Sequence, residues 1–222
     1  MIVFTALVAA SAGVKISMTM ESPRISEEAL FPWGRLFALR ENFEFGFFSE
    51  ERRLVAKYLT KPSDILVIGS GNGREARPIC RDGHRIVCMD MGLTYVQSGK
   101  NLFAAEGIPN VFFIAADTFV LPFLKSCFDF IFFSLYSYAE KRRFTVIKEI
   151  GNILRPKGVV LISAGTPCYR QKTKKEFACF ESVDELQRDV SSCGFELIEG
   201  AVDPLRPEYM FAVLRSNADN AV

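Results

Sequence analysis

The sequence predicts a doubly wound α/β fold, in which a mostly parallel sheet is covered by helices. Short apolar runs with strand character alternate with helical segments along residues 64–163. This alternation is typical of parallel sheets with right-handed crossovers. Residues 195–214 depart from it, because two strand-like runs follow each other around a proline-containing loop. We therefore expect the sheet to end in an antiparallel hairpin.

Length and charge narrow the function classes. The chain has 222 residues, of which 49% are hydrophobic and 24% charged, so a disordered or low-complexity chain is excluded. Its 27 basic and 26 acidic residues give a net charge of +1, and binding of nucleic acid would need a local basic patch. The basic run 170–175 has no interleaved aromatic residues and is interpreted as a solvated loop. No nucleic-acid partner is expected.

Six cysteines and one histidine limit metal and covalent chemistry. The cysteines form no C-x-x-C pair, and no zinc-site spacing exists, so we expect no metal. A disulfide framework is not expected in a chain with this apolar content. His84, the single histidine, lies in the turn-like run 82–84 and is interpreted as a surface turn residue. This interpretation disfavours a catalytic mechanism that uses a histidine-containing triad.

The N-terminal residues give evidence on the cellular location of the protein. The apolar run 2–14 is too short to cross a bilayer, and no basic residue precedes it as in a secretory signal. Small residues at 9–12 resemble a cleavage region, so secretion is the alternative to the cytoplasmic location that we expect. Residues 1–20 are interpreted as an extension, and no membrane association is expected.

Residues 21–60 are predicted to form a helical segment that is rich in aromatic side chains. Ser26 and Ser49 each precede two glutamates and are candidate N-caps, and the second helix should end before Pro62. Its predicted inward-facing residues are Leu54, Val55, Tyr58 and Leu59. We consider two roles for the segment: a cap or lid that closes over a site, or ordinary packing against the sheet. Residues 61–222 form the main domain.

The elements of this main domain follow one another in a regular order. The predicted strands are 65–68, 85–90, 111–115, 128–134 and 159–163. The predicted helices are about 73–81, 93–106, 140–154 and 182–193, and the last of these is predicted to be capped at its start by Ser182. The terminal hairpin pairs 195–202 with 209–214.

A glycine-rich turn follows the first predicted strand. Its sequence is Gly69-Ser70-Gly71-Asn72-Gly73, and glycines at such a turn let the backbone approach a ligand without a Cβ clash. Dinucleotide-binding turns read G-x-G-x-x-G, whereas this chain has Arg74 at the position of their third glycine. The turn indicates a ligand site with a spacing that differs from that of dinucleotide sites.

Asp90 stands at the end of the second predicted strand, 17 residues beyond Gly73. A carboxylate at this place can accept hydrogen bonds from both hydroxyls of a ribose. The alternative is that Asp90 only caps the helix that follows. A further acid, Asp117, follows the third predicted strand.

Five segments together carry a resemblance to a known family. They are the glycine turn, Asp90, the Asp117-to-Phe123 segment, Phe128-Asp129, and the Leu154-Arg155-Pro156-Lys157-Gly158 run. In this order and spacing, over about residues 50–165, the chain resembles the class I S-adenosylmethionine-dependent methyltransferases. The resemblance implies a Rossmann-like, seven-stranded sheet whose cofactor, S-adenosyl-L-methionine, lies at the carboxyl ends of strands one to four.

The resemblance also implies roles for individual residues. The implied cofactor-binding residues are Gly69, Gly71, Gly73, Asp90, Met91, Asp117, Thr118 and Ser134. The glycines would line the methionine portion, Asp90 would hold the ribose, and Met91 would pack on the adenine. Asp117 would accept a hydrogen bond from the adenine amino group, with Thr118 beside it. Ser134 would face the transferred methyl group from the end of the fourth strand.

One position departs from the family pattern. The family often has an acid two residues before the first glycine, where this chain has Val67. The amino group of the cofactor must then be held by other groups. Backbone carbonyls and Glu75 are the two alternatives that we consider.

The resemblance implies in-line methyl transfer, and we expect a small-molecule acceptor. The methyl group is already activated in the cofactor, so the protein mainly aligns a nucleophile with it. Tyr136 is the candidate catalytic residue, which would orient the nucleophile or accept its proton; packing of its ring in the loop is the alternative. The competing functions are a non-catalytic cofactor-binding or scaffold subunit and a nicotinamide-dependent oxidoreductase. Arg74 and the lack of a Tyr-x-x-x-Lys pair disfavour the oxidoreductase.

Overall fold

The computed structural model describes residues 39–135, 140–173 and 179–217. Its strands are β1 (Asp64–Ile68), β2 (Arg85–Asp90), β3 (Val111–Ala115), β4 (Phe128–Ser134), β5 (Leu154–Gly165), β6 (Phe195–Val202) and β7 (Tyr209–Ser216). Its α-helices are α1 (Arg40–Phe45), α2 (Ser49–Tyr58), α3 (Leu93–Ala105), α4 (Glu140–Ile153), α5 (Pro167–Thr173) and α6 (Val183–Ser191).

The strands form one seven-stranded sheet in the order β3-β2-β1-β4-β5-β7-β6, with helices on both sides. The strand order reverses at β1, as in doubly wound folds. β6 and β7 pair antiparallel, and β7 pairs antiparallel with β5. The predicted fold class is therefore confirmed: a mostly parallel, Rossmann-like α/β sheet that ends in an antiparallel hairpin.

Residues 39–47 and 62–127 belong to one compact unit, which contains β1, β2 and β3. These strands pair in parallel, with Leu66 opposite Val87 and Cys88 opposite Phe113. The four residues Ile65–Ile68 are at most 1% exposed. A continuous apolar run of this kind is expected where helices cover both faces of a parallel strand.

Residues 48–61 and 128–217 belong to a second compact unit. In it β4 pairs in parallel with β5, and Phe130 lies opposite Val159. The core is aromatic, because Phe128, Phe180 and Phe195 are each only 1% exposed. Such rings bury a large apolar area without a polar group that must be satisfied.

The predicted helix at 73–81 is wrong. The chain forms successive turns from Gly71 and then a single 3₁₀ turn at Arg77–Ile79. Gly73 has a φ of +93°, which no α-helix accommodates, and Pro78 lacks the N–H that an internal helical position donates. The N–H of Ala76 instead donates to the carbonyl of Gly73, over 3.1 Å and three residues.

The fifth strand is longer than predicted. β5 begins at Leu154, so the preceding helix ends one residue before the predicted boundary. Leu154 pairs with Phe128, and the pairing resumes only at Val159 opposite Phe130, so the intervening residues bulge out of the ladder. The sequence pattern did not reveal this extension because the bulge contains Pro156 and a glycine, which normally end a strand.

One of the two testable N-cap predictions is confirmed. Ser182 caps α6, since its hydroxyl accepts a hydrogen bond from the N–H of Glu185 at 3.2 Å. Ser49 is not a cap, because it is the first residue inside α2. Its hydroxyl donates to the Asp203 carboxylate at 2.8 Å. The predicted cap at Ser26 lies outside the described residues.

The interpretation of His84 as a surface residue is wrong. The side chain is 5% exposed, and its Nδ1 accepts a hydrogen bond from the N–H of Ser63 at 3.2 Å. Asn110 covers the same turn by donating to the carbonyl of His84 at 2.7 Å. Burial lowers the pKa of His84, which favours the neutral ring that this contact requires.

Residues 39–47 of the aromatic N-terminal segment are packed into the first unit. Phe43 is fully buried and meets Phe103 edge to face, with ring centroids 5.0 Å apart. The guanidinium of Arg77 lies 5.0 Å from the centroid of the same Phe43 ring. Residues 21–38 lie outside the described residues, and the lid function stays a prediction.

Substitution of Gly73 by Ala should lower the free energy of unfolding by about 2–5 kcal/mol. The φ of +93° penalises any side chain, and a Cβ would meet the Phe103 ring at 2.7 Å and the Phe113 ring at 3.0 Å. Gly107→Ala is the matched control, because its φ is +68° with open space around the Cβ, and it should cost about 1–2 kcal/mol. Urea unfolding measures both, and equal losses would contradict the packing argument.

Candidate cofactor-binding site

The turn after β1 needs all three of its glycines. Gly69, Gly71 and Gly73 have φ angles of +71°, +54° and +93°, a region in which other residues are strained. The N–H groups of Gly69 and Ser70 both donate to the carbonyl of Met89, at 2.9 and 3.1 Å. The turn is thereby attached to the end of β2, and its backbone can be approached closely because the glycines carry no side chain.

Asp90 lies at the centre of this arrangement. Its Oδ2 accepts a hydrogen bond from the N–H of Gly71 at 2.9 Å, and its Oδ1 accepts one from Gly92 at 2.8 Å. The residue is partly exposed. A carboxylate offers about four acceptor positions, so this type of group can accept hydrogen bonds both from backbone N–H groups and from ribose hydroxyls. The structure therefore brings the glycine turn and Asp90 together.

Asp90 is not the N-cap residue of the helix that follows it. α3 begins at Leu93, and its N-cap is Gly92. Asp90 accepts a hydrogen bond from the N–H of this cap residue. The carboxylate organises the two turns that follow β1 and β2.

Asp117 and Thr118 lie at the end of the neighbouring strand. Asp90 pairs with Ala115 in the sheet, and the N–H of Ala116 donates to the Asp90 carbonyl at 3.0 Å. Asp117 is partly exposed and accepts a hydrogen bond from the N–H of Phe119 at 2.9 Å, whereas Thr118 is 3% exposed. Their part in adenine binding stays a prediction, as does that of Met91, which is partly exposed beside Asp90.

Two further candidates belong to the second unit. Ser134 ends β4 and is 8% exposed, and the hydroxyl of Ser163 donates to its Oγ at 3.3 Å. Its contact with a cofactor stays a prediction. Tyr136, the candidate catalytic residue, lies outside the described residues.

Arg74 and Glu75 form a buried ion pair next to the turn. Their side chains are 8% and 7% exposed, and the Arg74 Nη2 lies 2.6 Å from the Glu75 Oε1. Arg74 also donates to the carbonyl of Gly46 at 2.5 Å. Since Glu75 already holds Arg74, its carboxylate serves the buried pair, and this disfavours Glu75 as the group that holds the cofactor's amino group.

Sequence reasoning missed several residues of this region. Asn72 is fully buried and accepts a hydrogen bond from the side chain of Asn42 at 2.9 Å. Two apolar side chains, Leu93 and Val120, are 54% and 52% exposed. Each lies three residues after one of the two acids Asp90 and Asp117. The position of Asn72, a polar residue between two glycines, could have indicated a structural role for it. The exposure of a single apolar residue cannot be predicted in this way, because no sequence pattern accompanies it.

The fold and the turn define a nucleotide-cofactor-binding α/β domain. Residues 65–158 match the family model described as a methyltransferase domain. Over these residues the match supports the predicted class I S-adenosylmethionine-dependent methyltransferase domain, and with it S-adenosylmethionine as the cofactor. The residues present fit this group, because the glycines of the turn carry no side chain that would block a ligand and Asp90 is a partly exposed carboxylate beside the turn.

Known proteins resemble the chain to different extents. A glycine/sarcosine/dimethylglycine N-methyltransferase from Actinopolyspora halophila is 27% identical over 115 residues, which are 50% of this chain and 20% of that protein. The chain therefore matches only a fifth of this curated relative's length.

Two solved structures share the fold. The PH0226 protein of Pyrococcus horikoshii is 16% identical, with a TM-score of 0.69 over 87% of this chain and 100% of that chain. The 1,6-didemethyltoxoflavin-N1-methyltransferase of Burkholderia thailandensis, with bound 1,6-didemethyltoxoflavin and S-adenosylhomocysteine, is 18% identical. Its TM-score is 0.62, over 89% of this chain and 93% of that chain.

Membrane spans and metal sites were sought in the part of the chain that the structure describes. None of its helices combines the length and the apolar character needed to cross a bilayer. Within the same residues no three His, Cys, Asp or Glu side chains are grouped so that they could hold a metal ion.

Asp90→Ala should weaken the binding of S-adenosylhomocysteine by about tenfold or more, because hydrogen bonds to a charged group contribute about 1.5–3 kcal/mol each. Loss of the carboxylate also leaves the Gly71 and Gly92 N–H groups without this acceptor, so the melting temperature should fall. Calorimetric titration of the folded variant measures the affinity.

Asp129→Ala is the matched control for this experiment. Asp129 is an acid at the amino end of a strand, where it pairs with Arg155 at 2.7 Å. Its removal should leave the affinity unchanged. If the affinity of Asp90→Ala stays within threefold of the parent protein, the ribose is held elsewhere.

Proposed function

We propose that the protein transfers the methyl group of S-adenosylmethionine to a small-molecule acceptor by in-line displacement. The observation that carries this proposal is the hydrogen-bonded unit of the glycine turn and the partly exposed Asp90, which places a backbone without side chains beside a carboxylate. The family match over residues 65–158 supports the reaction type.

The cofactor supplies an activated methyl group on a positively charged sulfur, so the chain mainly has to bind and orient. In this proposal the backbone of the glycine turn holds the methionine portion, and Asp90 accepts hydrogen bonds from the ribose hydroxyls. Asp117 accepts from the adenine amino group, and Met91 packs on the ring. Ser134 faces the methyl group.

The methyl acceptor is held and activated by a separate group. We propose that the Tyr136 hydroxyl orients the attacking atom or accepts its proton. Backbone carbonyls of the glycine turn are the acceptors that we propose for the amino group of the cofactor, because Glu75 is engaged by Arg74 and Val67 is apolar.

A small acceptor is supported by the charge pattern and by the relatives. Within the basic run, Arg170 pairs with Glu181 at 3.4 Å and Lys172 pairs with Glu208, so part of its charge is neutralised within the protein. The Burkholderia thailandensis structure contains a bound small molecule, and the Actinopolyspora halophila relative is named for small amines. These observations favour a metabolite over a nucleic acid as the acceptor.

We also propose a cytoplasmic location. Cys168 is a free cysteine although it is exposed, and the buried Cys80 and Cys88 are free as well. Free thiols persist where the surroundings are reducing. The division into an extension (1–20), an aromatic cap (21–60) and a methyltransferase domain (61–222) remains part of this proposal.

S-adenosylhomocysteine should raise the melting temperature of the protein, and NAD should not. A ligand that binds only the folded state stabilises it by about 2.7 kcal/mol at a hundred times its dissociation constant. Arg74 fills the place of the glycine that a dinucleotide site requires, so NAD serves as the control ligand. Stabilisation by NAD alone would favour the oxidoreductase alternative.

Tyr136→Phe should reduce methyl transfer by about a hundredfold while the affinity for S-adenosylhomocysteine stays the same, because general acid–base groups contribute about 10²–10⁴-fold. Turnover of isotope-labelled S-adenosylmethionine by the purified full-length chain, with a metabolite extract as acceptor source, measures this. Tyr138→Phe is the control and should retain activity.

The same assay separates the competing functions. A non-catalytic subunit would bind S-adenosylhomocysteine and yet transfer no label to any fraction of the extract. Label transferred to nucleic acid but to no small molecule would contradict the proposed acceptor class.

A further inference from the structure

We propose that Asn42 is a positioning residue for the cofactor: it holds the buried Asn72 of the glycine turn and so couples α1 to cofactor binding. This inference rests on the proposed use of the turn for the cofactor. Neither side chain touches the ligand in this proposal, and both act through the backbone of the turn.

Asn72 lies between Gly71 and Gly73, and its side chain is held by hydrogen bonds. Its side chain is fully buried, its Oδ1 accepts from the Asn42 Nδ2 at 2.9 Å, and its Nδ2 donates to the Leu39 carbonyl at 2.7 Å. Both partners come from the segment that opens the described chain, 30 and 33 residues earlier. A buried side-chain amide with two such bonds restricts the conformation of the residue that carries it.

The restriction matters because of the residues next to Asn72. Gly71 and Gly73 can adopt many backbone conformations, and without an external anchor the turn would sample several of them. The N–H of Gly71 must point at Asp90 for the turn and the ribose acceptor to stay together. A binding site needs its groups to be held in place by a supporting layer, and Asn42 belongs to that layer.

A second bond ties the same segment to the other side of Gly73. Arg74 donates to the carbonyl of Gly46 at 2.5 Å, at the end of α1. The segment 39–46 therefore contacts the turn both before and after Gly73. Because coupling between two elements is reciprocal, a ligand that orders the turn must also order α1, and loosening α1 must weaken the ligand.

Asn42→Leu removes the donated hydrogen bond while keeping the number and branching of the side-chain heavy atoms. We expect it to weaken the binding of S-adenosylhomocysteine by about three- to tenfold, since a neutral hydrogen bond contributes a factor of this size. Glu41→Leu, at an exposed position of the same helix, is the control and should bind as the parent does. Asn42→Gln keeps the amide and should recover part of the affinity.

Hydrogen exchange provides a measurement that a merely structural role would not affect. In the unmodified protein, S-adenosylhomocysteine should slow amide exchange in residues 39–47 as well as in 69–73, and in Asn42→Leu the slowing of 39–47 should be lost. No slowing of 39–47 in the unmodified protein overturns the inference, even if Asn42→Leu does not fold.

The outcomes distinguish this inference from the proposed function. If the unmodified protein does not bind S-adenosylhomocysteine, the use of the turn for the cofactor is wrong. If it binds, but Asn42→Leu binds equally well at a lowered melting temperature, Asn42 only stabilises the fold and the positioning role is wrong.

Discussion

The hydrogen bond from the Gly71 N–H to the Asp90 carboxylate is the contact on which the candidate site depends. It joins the turn after β1 to the end of β2 at 2.9 Å, and it exists only because Gly71 adopts a φ of +54°. Asp90 also accepts a hydrogen bond from the N–H of Gly92, so one carboxylate binds backbone N–H groups from two turns. In the proposed function the same group accepts the ribose hydroxyls, so that local structure and cofactor recognition would share one side chain.

A carboxylate that accepts backbone N–H groups also organises the second unit. Asp203 is fully buried and accepts hydrogen bonds from the N–H groups of Glu50, Leu205 and Arg206 and from the Ser49 hydroxyl. Burial would raise the pKa of Asp203, but these bonds lower it overall, so the acid remains ionised. It supplies the N-terminus of α2 with the acceptor that a capping side chain would otherwise provide.

The glycine turn is supported by side chains instead of by the α-helix that usually follows such a turn. The residues after Gly73 form tight turns, and Arg74 and Glu75 are buried as a neutral pair. Breaking such a pair is costly, since the remaining charge would be buried alone. The arrangement therefore makes the turn depend on the preceding segment, where the Asn42 side chain donates to Asn72 and the Gly46 carbonyl accepts from Arg74.

The sequence by itself determined the order of the strands and helices, the hairpin, and the positions of the turn and Asp90, because these follow from local patterns of apolar residues, glycines and acids. Only the tertiary structure decided that residues after Gly73 do not form a helix, that His84 is buried and that Ser49 serves Asp203. The last two depend on partners distant in the chain: Ser49 and Asp203, for example, are 154 residues apart. Sequence patterns report the conformational preference of a segment, whereas the choice of partner for each buried polar group is made when the chain is packed.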